Sequence, residues 1–209
     1  LWHLVGLPQG LNAGDLLFIV ARRQIAGSPV EDAVARRMVA RYDVACQRLA
    51  EGQYLDLAFE RRPRVPPEHY LEMVARKTGA LMSCAAALGS IAGGGSAAAV
   101  VGLESYGLEL GVAFQIQDDV LGIWGDPALT GKPACSDLIR RKKSLPVLMA
   151  LADQHLASSL EALYGAPDAT PRQAAEVAAA MEQRGLRQAV TLAARERASR
   201  ARASLVGLG

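Results

Sequence analysis

The chain has 209 residues, enough for one domain with a sizeable core. Hydrophobic residues make up 51% and aromatic residues only 5%, which favours closely packed helices over an aromatic-rich β-sandwich. With 23 Lys and Arg against 21 Asp and Glu, the formal charge of +2 is too small to indicate a nucleic-acid partner.

Several helices are predicted in the first third of the chain. Asn12 is predicted to cap a helix that ends near Gly27. The dipeptide Ser28-Pro29 is predicted to open a second helix, which continues to about Phe59 along an i, i+4 apolar stripe. Residues 62–67 contain three prolines and are predicted to be a loop, since proline removes backbone donors and blocks a regular helix.

The middle of the chain contains a long uncharged segment, residues 80–103. It is long enough to span a bilayer, but it is rich in Ala, Gly and Ser and is interrupted by glycines 93–95. We therefore predict two buried helices joined by a glycine turn, and no membrane span. The first of them begins near Pro66, and the second is capped by Ser96 and runs to about Trp124.

The last third is predicted to open with a loop at residues 125–133, followed by a helix from Ser136 and Asp137 through Leu151. Shorter helices are expected at about 155–164, 171–184 and 186–206. No alternating β-branched runs are present, so the prediction is one all-α domain over residues 1–209. The odd number of cysteines, without metal or redox spacing, predicts reduced thiols and a cytoplasmic protein, and the three scattered histidines give no metal signature.

The densest candidate site lies on the helix that ends near Trp124. Gln115, Asp118 and Asp119 are spaced i, i+3 and i+4 and share one face, and both flanks are apolar. Two adjacent carboxylates on a buried helix are costly unless a positive group binds them. Such oxygen ligands suit Mg²⁺, which keeps waters and bridges to substrate phosphates. A salt-bridged structural pair is the alternative.

Three further segments carry polar residues that suit phosphate binding. Lys132 follows Gly131 on a turn and can fold back over a phosphate, with Asp137 and Lys142 on the next helix start. The alternative for Lys132 is an ordinary surface lysine.

Lys77 is the last charge before the uncharged segment. It either points inward as a phosphate ligand beside the Thr78 hydroxyl or snorkels to solvent. Gln53 and Asp56 share a helix face between leucines, where they bind a ligand or merely satisfy a helix end.

Taken together, these motifs resemble the polyprenyl synthetase family of trans-prenyltransferases. The resembling segments are Asn12-Ala13-Gly14-Asp15, Gly52-Gln53 with Asp56-Leu57, Lys77-Thr78-Gly79-Ala80-Leu81, and Phe114-Gln115-x-x-Asp118-Asp119 followed by Gly125-Asp126-Pro127 and Thr130-Gly131-Lys132-Pro133. Their order and spacing make the resemblance specific, and it covers almost the whole chain.

Two departures from the family pattern stand out. The second aspartate-rich motif of the family ends in a third aspartate, and Gly122 stands in its place. The first Asp-Asp-x-x-Asp motif, with its following Arg-Arg-Gly-x-Pro segment, is absent ahead of Leu1-Trp2-His3. We therefore expect the chain to be N-terminally incomplete and not to elongate prenyl diphosphates on its own.

The resemblance implies an isoprenoid synthase helical bundle around a central apolar cavity. It implies condensation of an allylic prenyl diphosphate with isopentenyl diphosphate, assisted by Mg²⁺, in a homodimer. The implied catalytic residues are Lys77, Thr78, Gln115 and Lys132; the same four bind substrate with Lys142, Gln53 and Asp56; the implied metal ligands are Asp118, Asp119 and Asp137. A non-catalytic subunit of a heteromeric synthase, a class I terpene cyclase and a purely structural helical domain are the alternatives.

Overall fold

A computed structural model describes residues 2–131 and 133–208 of the chain. Helices and turns make up these residues and no strand occurs among them, which confirms the predicted all-α class. The helices are α1 Trp2–Val5, α2 Leu7–Ala26, α3 Asp32–Glu60, α4 Pro67–Val74, a π-helical segment Ala75–Gly79, α5 Ala80–Ala92, α6 Ala97–Trp124, α7 Pro127–Thr130, α8 Ser136–Ile139, α9 Leu145–Ala152, α10 Ala157–Gly165, α11 Pro171–Gln183 and α12 Leu186–Ala203.

Helix α6 is the central element of the bundle. It packs most extensively against α12 and α5, while α3 lies against α5 and the π-helical segment. Its apolar residues join two buried clusters, one with α4, α9 and α12 and the other with α8 to α11. A third cluster holds α2 and α3 against α5. These contacts place the polar residues of α3, the π-helical segment and α6 side by side.

The glycine turn in the uncharged segment is confirmed. Helix α5 ends at Ala92, Gly94 takes a positive φ of 74°, and the Ser96 side chain accepts a hydrogen bond from Ala99 N at 3.2 Å. The positive φ is open to glycine at little steric penalty, which is why the chain can reverse here. Serine then satisfies one of the unpaired N–H groups at the start of α6.

Two predicted helix starts are wrong. Helix α2 begins at Leu7, with Pro8 in its first turn, so Asn12 lies inside the helix and donates to Gln9 instead of capping it. Helix α3 begins at Asp32, because the Ser28 hydroxyl donates to Ile25 O at 2.7 Å and closes the end of the preceding helix.

The helix predicted from Ser136 through Leu151 is also wrong as a continuous element. It is split into α8 and α9 by residues 140–144, and Arg141 has a positive φ of 57°. Pro146 fits only in the first turn of a helix, since it has no N–H to donate to the preceding turn, and α9 accordingly begins at Leu145. Within the predicted loop at 125–133, Pro127–Thr130 forms one helical turn capped by the Asp126 carboxylate.

Among the described helices, α6 is long and apolar enough to cross a membrane by length and composition. Here it packs between α5 and α12. A core helix meets the same criterion, so the prediction of no membrane span stays a prediction.

Candidate active site

The π-helical segment Ala75–Gly79 lies between α3 and α6 at very close range. A Cβ on residue 52 would come within 2.7 Å of Lys77 Cα, and one on residue 111 within 2.7 Å of Gly79 Cα. Glycine on both neighbouring helices therefore allows backbone-to-backbone contact, which no larger residue would permit. Single π-helical turns inside α-helices are frequent at functional sites, and this one presents Lys77 and Thr78.

Lys77 points inward and pairs with Asp56 of α3. Their side chains are only 28% and 16% exposed, and the ammonium Nζ donates to Asp56 Oδ2. This arrangement rules out the solvent-snorkelling alternative for Lys77. This ion pair connects α3 to the π-helical segment.

Thr78 and Gln115 connect the π-helical segment to α6. The Thr78 hydroxyl donates to Gln115 Oε1 at 2.9 Å, and Gln115 Nε2 donates to Asp119 Oδ1 at 3.3 Å. The hydrogen-bond chain therefore runs in one direction, from the hydroxyl through the amide to the carboxylate. In this arrangement the hydroxyl proton of Thr78 is donated to Gln115 Oε1.

Asp119 is fully buried and its two carboxylate oxygens accept four hydrogen bonds. Oδ1 accepts from Gln115 Nε2 and from Lys142 Nζ, the latter at 2.8 Å, while Oδ2 accepts from the Tyr70 hydroxyl at 2.5 Å and from Leu145 N at 3.1 Å. A buried carboxylate is tolerated when hydrogen bonds and an opposite charge compensate its lost hydration. The Leu145 N–H also belongs to the first turn of α9, where a negative charge is favoured.

Two partners of Asp119, Tyr70 and the Leu145 N–H, were not predicted. Tyr70 lies seven residues before Lys77, which is about two helical turns, so the spacing indicates that both residues lie near one face of the helix. An isolated tyrosine on an apolar helix is usually a core residue, so the sequence alone does not distinguish Tyr70 from one. Burial, together with the charge of Asp119, holds the pKa of Tyr70 well above its ordinary value, so its hydroxyl remains a donor.

Lys142 joins Asp119 to Asp137. Its ammonium lies 2.8 Å from Asp119 Oδ1 and 3.4 Å from Asp137 Oδ2. Burial alone would lower the pKa of Lys142, but the two carboxylates together raise it above its ordinary value. For Asp137 burial has the larger effect and raises its pKa, against the opposing influence of Lys142.

Gly122, which departs from the family motif, lies directly against Asp137. A Cβ built on residue 122 would overlap the carboxylate group of Asp137. The absence of a side chain at this position therefore leaves room for Asp137 beside α6. The hydroxyl of Ser136 also reaches this stretch of helix and donates to Gly122 O at 3.3 Å.

The remaining predicted site residues are placed as follows. Asp118 is half-buried on α6, and its charge contributes to the raised pKa values of Asp137 and Lys142. Gln53 is exposed on α3, three residues before the half-buried Asp56. Lys132 lies outside the described residues. The predicted convergence of Lys77 and Lys132 on one phosphate therefore stays a prediction.

An apolar surface flanks Asp118 on α6. Phe114 and Leu121, one turn before and one turn after it, share its helix face and are 61% and 44% exposed. Within the described residues, the part of the predicted central apolar cavity next to Asp118 is an exposed apolar surface formed by Phe114 and Leu121.

The carboxylate oxygens of the site suit a divalent cation that binds together with a phosphate-bearing ligand. Across residues 2–131 and 133–208, no three carboxylate, histidine or cysteine side chains converge into a complete metal cage. Mg²⁺ commonly uses one or two carboxylates and completes its octahedron with waters and phosphate oxygens. Asp118 is half-buried and Asp119 is fully buried, so Asp118 is the more accessible of these two adjacent carboxylates.

The family model for polyprenyl synthetase matches residues 1–183 of the chain. The chain belongs to the polyprenyl synthetase family. A geranylgeranyl diphosphate synthase of Mycobacterium tuberculosis is 41% identical over 181 residues, which are 86% of this chain and 51% of that protein. Overall, the chain spans about half the length of the curated relatives it matches.

Solved structures of polyprenyl synthetases share the fold. The crystal structure of a polyprenyl synthetase from Streptomyces coelicolor A3(2) has a TM-score of 0.86 and 39% identity, over 98% of this chain and 62% of that chain. A polyprenyl synthase from Caulobacter crescentus CB15, complexed with calcium and isoprenyl diphosphate, has a TM-score of 0.88 and 28% identity, over 98% and 61% of the two chains. The predicted isoprenoid synthase fold is confirmed.

Proposed function

We propose that the chain provides the diphosphate-binding part of a trans-isoprenyl diphosphate synthase, which joins an allylic prenyl diphosphate to isopentenyl diphosphate. The observation that carries the proposal is the convergence of Lys77, Thr78 and Gln115 with the carboxylates of α6 at a glycine-lined contact. Family membership and the related synthases support prenyl transfer as the reaction class.

The donors of the site suit an anionic diphosphate. Gln115 Nε2 carries two N–H groups, and the bond to Asp119 uses one, which leaves the other for a phosphate oxygen. Lys77 would exchange Asp56 for the more highly charged diphosphate, so its present partner keeps the ammonium in place until substrate arrives. Lys132 is proposed to contact the same group. Stabilising the charge that develops on the leaving diphosphate favours its departure.

Asp118, Asp119 and Asp137 are the proposed metal ligands, and Asp119 also orders the donors around Asp118. Bound Mg²⁺ would supply positive charge against the leaving diphosphate. The apolar face of Phe114 and Leu121 would contact the prenyl chain and keep water from the allylic cation. A homodimeric, cytoplasmic protein remains part of the proposal, as do substrate contacts of Gln53, Asp56 and Lys142.

Calorimetric titration with a bisphosphonate in the presence of Mg²⁺ tests the proposal. The wild-type chain is expected to bind in a Mg²⁺-dependent manner, and Asp118→Ala to lose most of that dependence. Asp43→Ala is the matched control, because Asp43 is an exposed carboxylate that pairs with Arg22 of α2 and belongs to none of the proposed site segments. Equal binding by wild type and Asp118→Ala would contradict the proposed metal ligand, and absence of wild-type binding would contradict the proposed function.

Product analysis separates chain elongation from cyclisation and from a non-catalytic role. In a complete synthase that contains these residues, radiolabelled isopentenyl diphosphate should enter a longer prenyl diphosphate when an allylic partner and Mg²⁺ are present. A cyclase would release an unlabelled hydrocarbon from the allylic substrate alone. A non-catalytic subunit would produce neither product and would alter the product length of a complete synthase added to the assay.

A further inference from the structure

Tyr70 is buried deeply, and its only polar group is directed at the site. The residue is 1% exposed on α4, inside the apolar cluster that includes Val74, Val120 and Leu148. Its hydroxyl donates to Asp119 Oδ2 at 2.5 Å. Hydrogen bonds to a charged acceptor are short and stronger than neutral ones, so this contact restrains the orientation of the carboxylate.

The orientation of Asp119 in turn determines the orientation of the Gln115 amide. An ionised carboxylate only accepts hydrogen bonds, so Gln115 must turn its NH₂ group toward Asp119 and its carbonyl toward Thr78. If the amide were flipped, its oxygen would face a carboxylate oxygen and the hydrogen bond to Asp119 would be lost, whereas the Thr78 hydroxyl can pair with either end of the amide. The second N–H of Gln115 is thereby fixed in direction.

We propose that Tyr70 is a positioning residue, which holds Asp119 and through it fixes the donor direction of the Gln115 amide for diphosphate binding. The last step of this inference, diphosphate binding, rests on the proposed function. The earlier steps concern the hydrogen-bond chain alone and can be tested without a ligand.

Tyr42 offers a matched control. It too is a buried tyrosine, 8% exposed, and its hydroxyl donates to Phe18 O at 3.0 Å between α3 and α2. Tyr42→Phe and Tyr70→Phe therefore remove the same group from two buried positions, of which only one is linked to Asp119. A purely structural role for Tyr70 would make the two variants alike at the site.

The first measurement is the side-chain amide resonances of Gln115 in the ¹⁵N–¹H spectrum of the chain, assigned with Gln115→Glu. In the wild type the two N–H protons should be widely separated in shift, because one faces a carboxylate. Tyr70→Phe should move both toward ordinary glutamine positions, and Tyr42→Phe should leave them unchanged. If the Gln115 side-chain resonances of the wild type lie at ordinary glutamine positions, the proposal is overturned. This test needs no variant and so does not depend on the folding of Tyr70→Phe.

The second measurement is binding of inorganic pyrophosphate with Mg²⁺. Tyr70→Phe should raise the dissociation constant on the order of tenfold, the effect of losing one hydrogen bond to a charged group, and Tyr42→Phe should not change it. If wild type binds and Tyr70→Phe binds equally well, the positioning role is overturned while the proposed function stands. If the Gln115 resonances respond but wild type binds no pyrophosphate, the positioning of Gln115 stands and the proposed function fails.

Discussion

Replacing Gly52 with alanine should destabilise the chain and disturb the site at the same time. A Cβ at this position would lie 2.7 Å from Lys77 Cα and would also overlap Lys77 N. The obstacle is backbone, which cannot rotate away as a flexible side chain does. The new methyl group would therefore push α3 from the π-helical segment and separate Asp56 from Lys77.

The expected magnitude follows from two opposing terms. Alanine is preferred over glycine inside a helix by about 1 kcal/mol. Overpacking a well-filled contact costs about 1–3 kcal/mol, and a backbone obstacle places Gly52→Ala in the upper part of that range. The net loss of unfolding free energy should be about 1–2 kcal/mol, with weaker binding of pyrophosphate and Mg²⁺ because Lys77 is displaced.

Urea unfolding followed by far-UV circular dichroism measures the change, and Gly14→Ala provides the control. Gly14 lies inside α2, and a Cβ there would meet nothing within 4 Å. Gly14→Ala should therefore stabilise the chain by up to about 1 kcal/mol. If Gly52→Ala also proved stabilising, the close contact between α3 and the π-helical segment would not be the constraint that we infer.

Two further predictions concern charged groups. Lys142→Met should lower the unfolding free energy by about 3–5 kcal/mol, because it leaves the buried carboxylate of Asp119 without its cation; an unchanged urea midpoint would contradict this. Arg184 pairs with Asp153 at 2.7 Å and holds the pKa of Asp153 below its ordinary value. The ion pair therefore stabilises the fold fully above the unfolded pKa of about 4. This stabilisation is lost as the pH falls through the lower pKa of Asp153 in the folded chain. Arg184→Ala should accordingly be less stable than wild type at neutral pH and equal to it in strong acid; a difference that persisted in acid would argue against this ion pair.

The all-α class and the glycine turn could be predicted from the sequence because they depend on local chemistry. Ser96 after a run of glycines is a local signal for a helix start, and the structure uses it as such. The break near Ser28 and the left-handed turn at Arg141 could not be predicted, although Pro146 is a local signal for the start of α9. They depend on where a hydroxyl finds its acceptor and on Arg141 taking a left-handed conformation, which is uncommon for a residue with a Cβ.

For the candidate site, the sequence predicted which polar residues of α6 lie close together, but neither the part of Tyr70 nor the different burial of the two carboxylates. The spacing placed Gln115, Asp118 and Asp119 on one side of α6. Consecutive residues on an α-helix nevertheless differ by about 100° in direction, because a turn contains 3.6 residues. One carboxylate consequently stays half-buried while the other turns into the core, and only the packing of α4 and α9 decides which.

The buried network around Asp119 is weak evidence for stability and stronger evidence for positioning. Replacing a buried ion pair with apolar residues of similar volume is often neutral or stabilising, so the fold does not need Asp119 and Lys142 at this point to hold together. What an apolar pair cannot do is fix the direction of neighbouring donors. Asp119 does so for Gln115 on its own helix and for Lys142 from the segment before α9. The arrangement thus exchanges some stability for a fixed set of donors beside Asp118, which is what the proposed binding of a diphosphate and Mg²⁺ would require in order to proceed with little reorganisation.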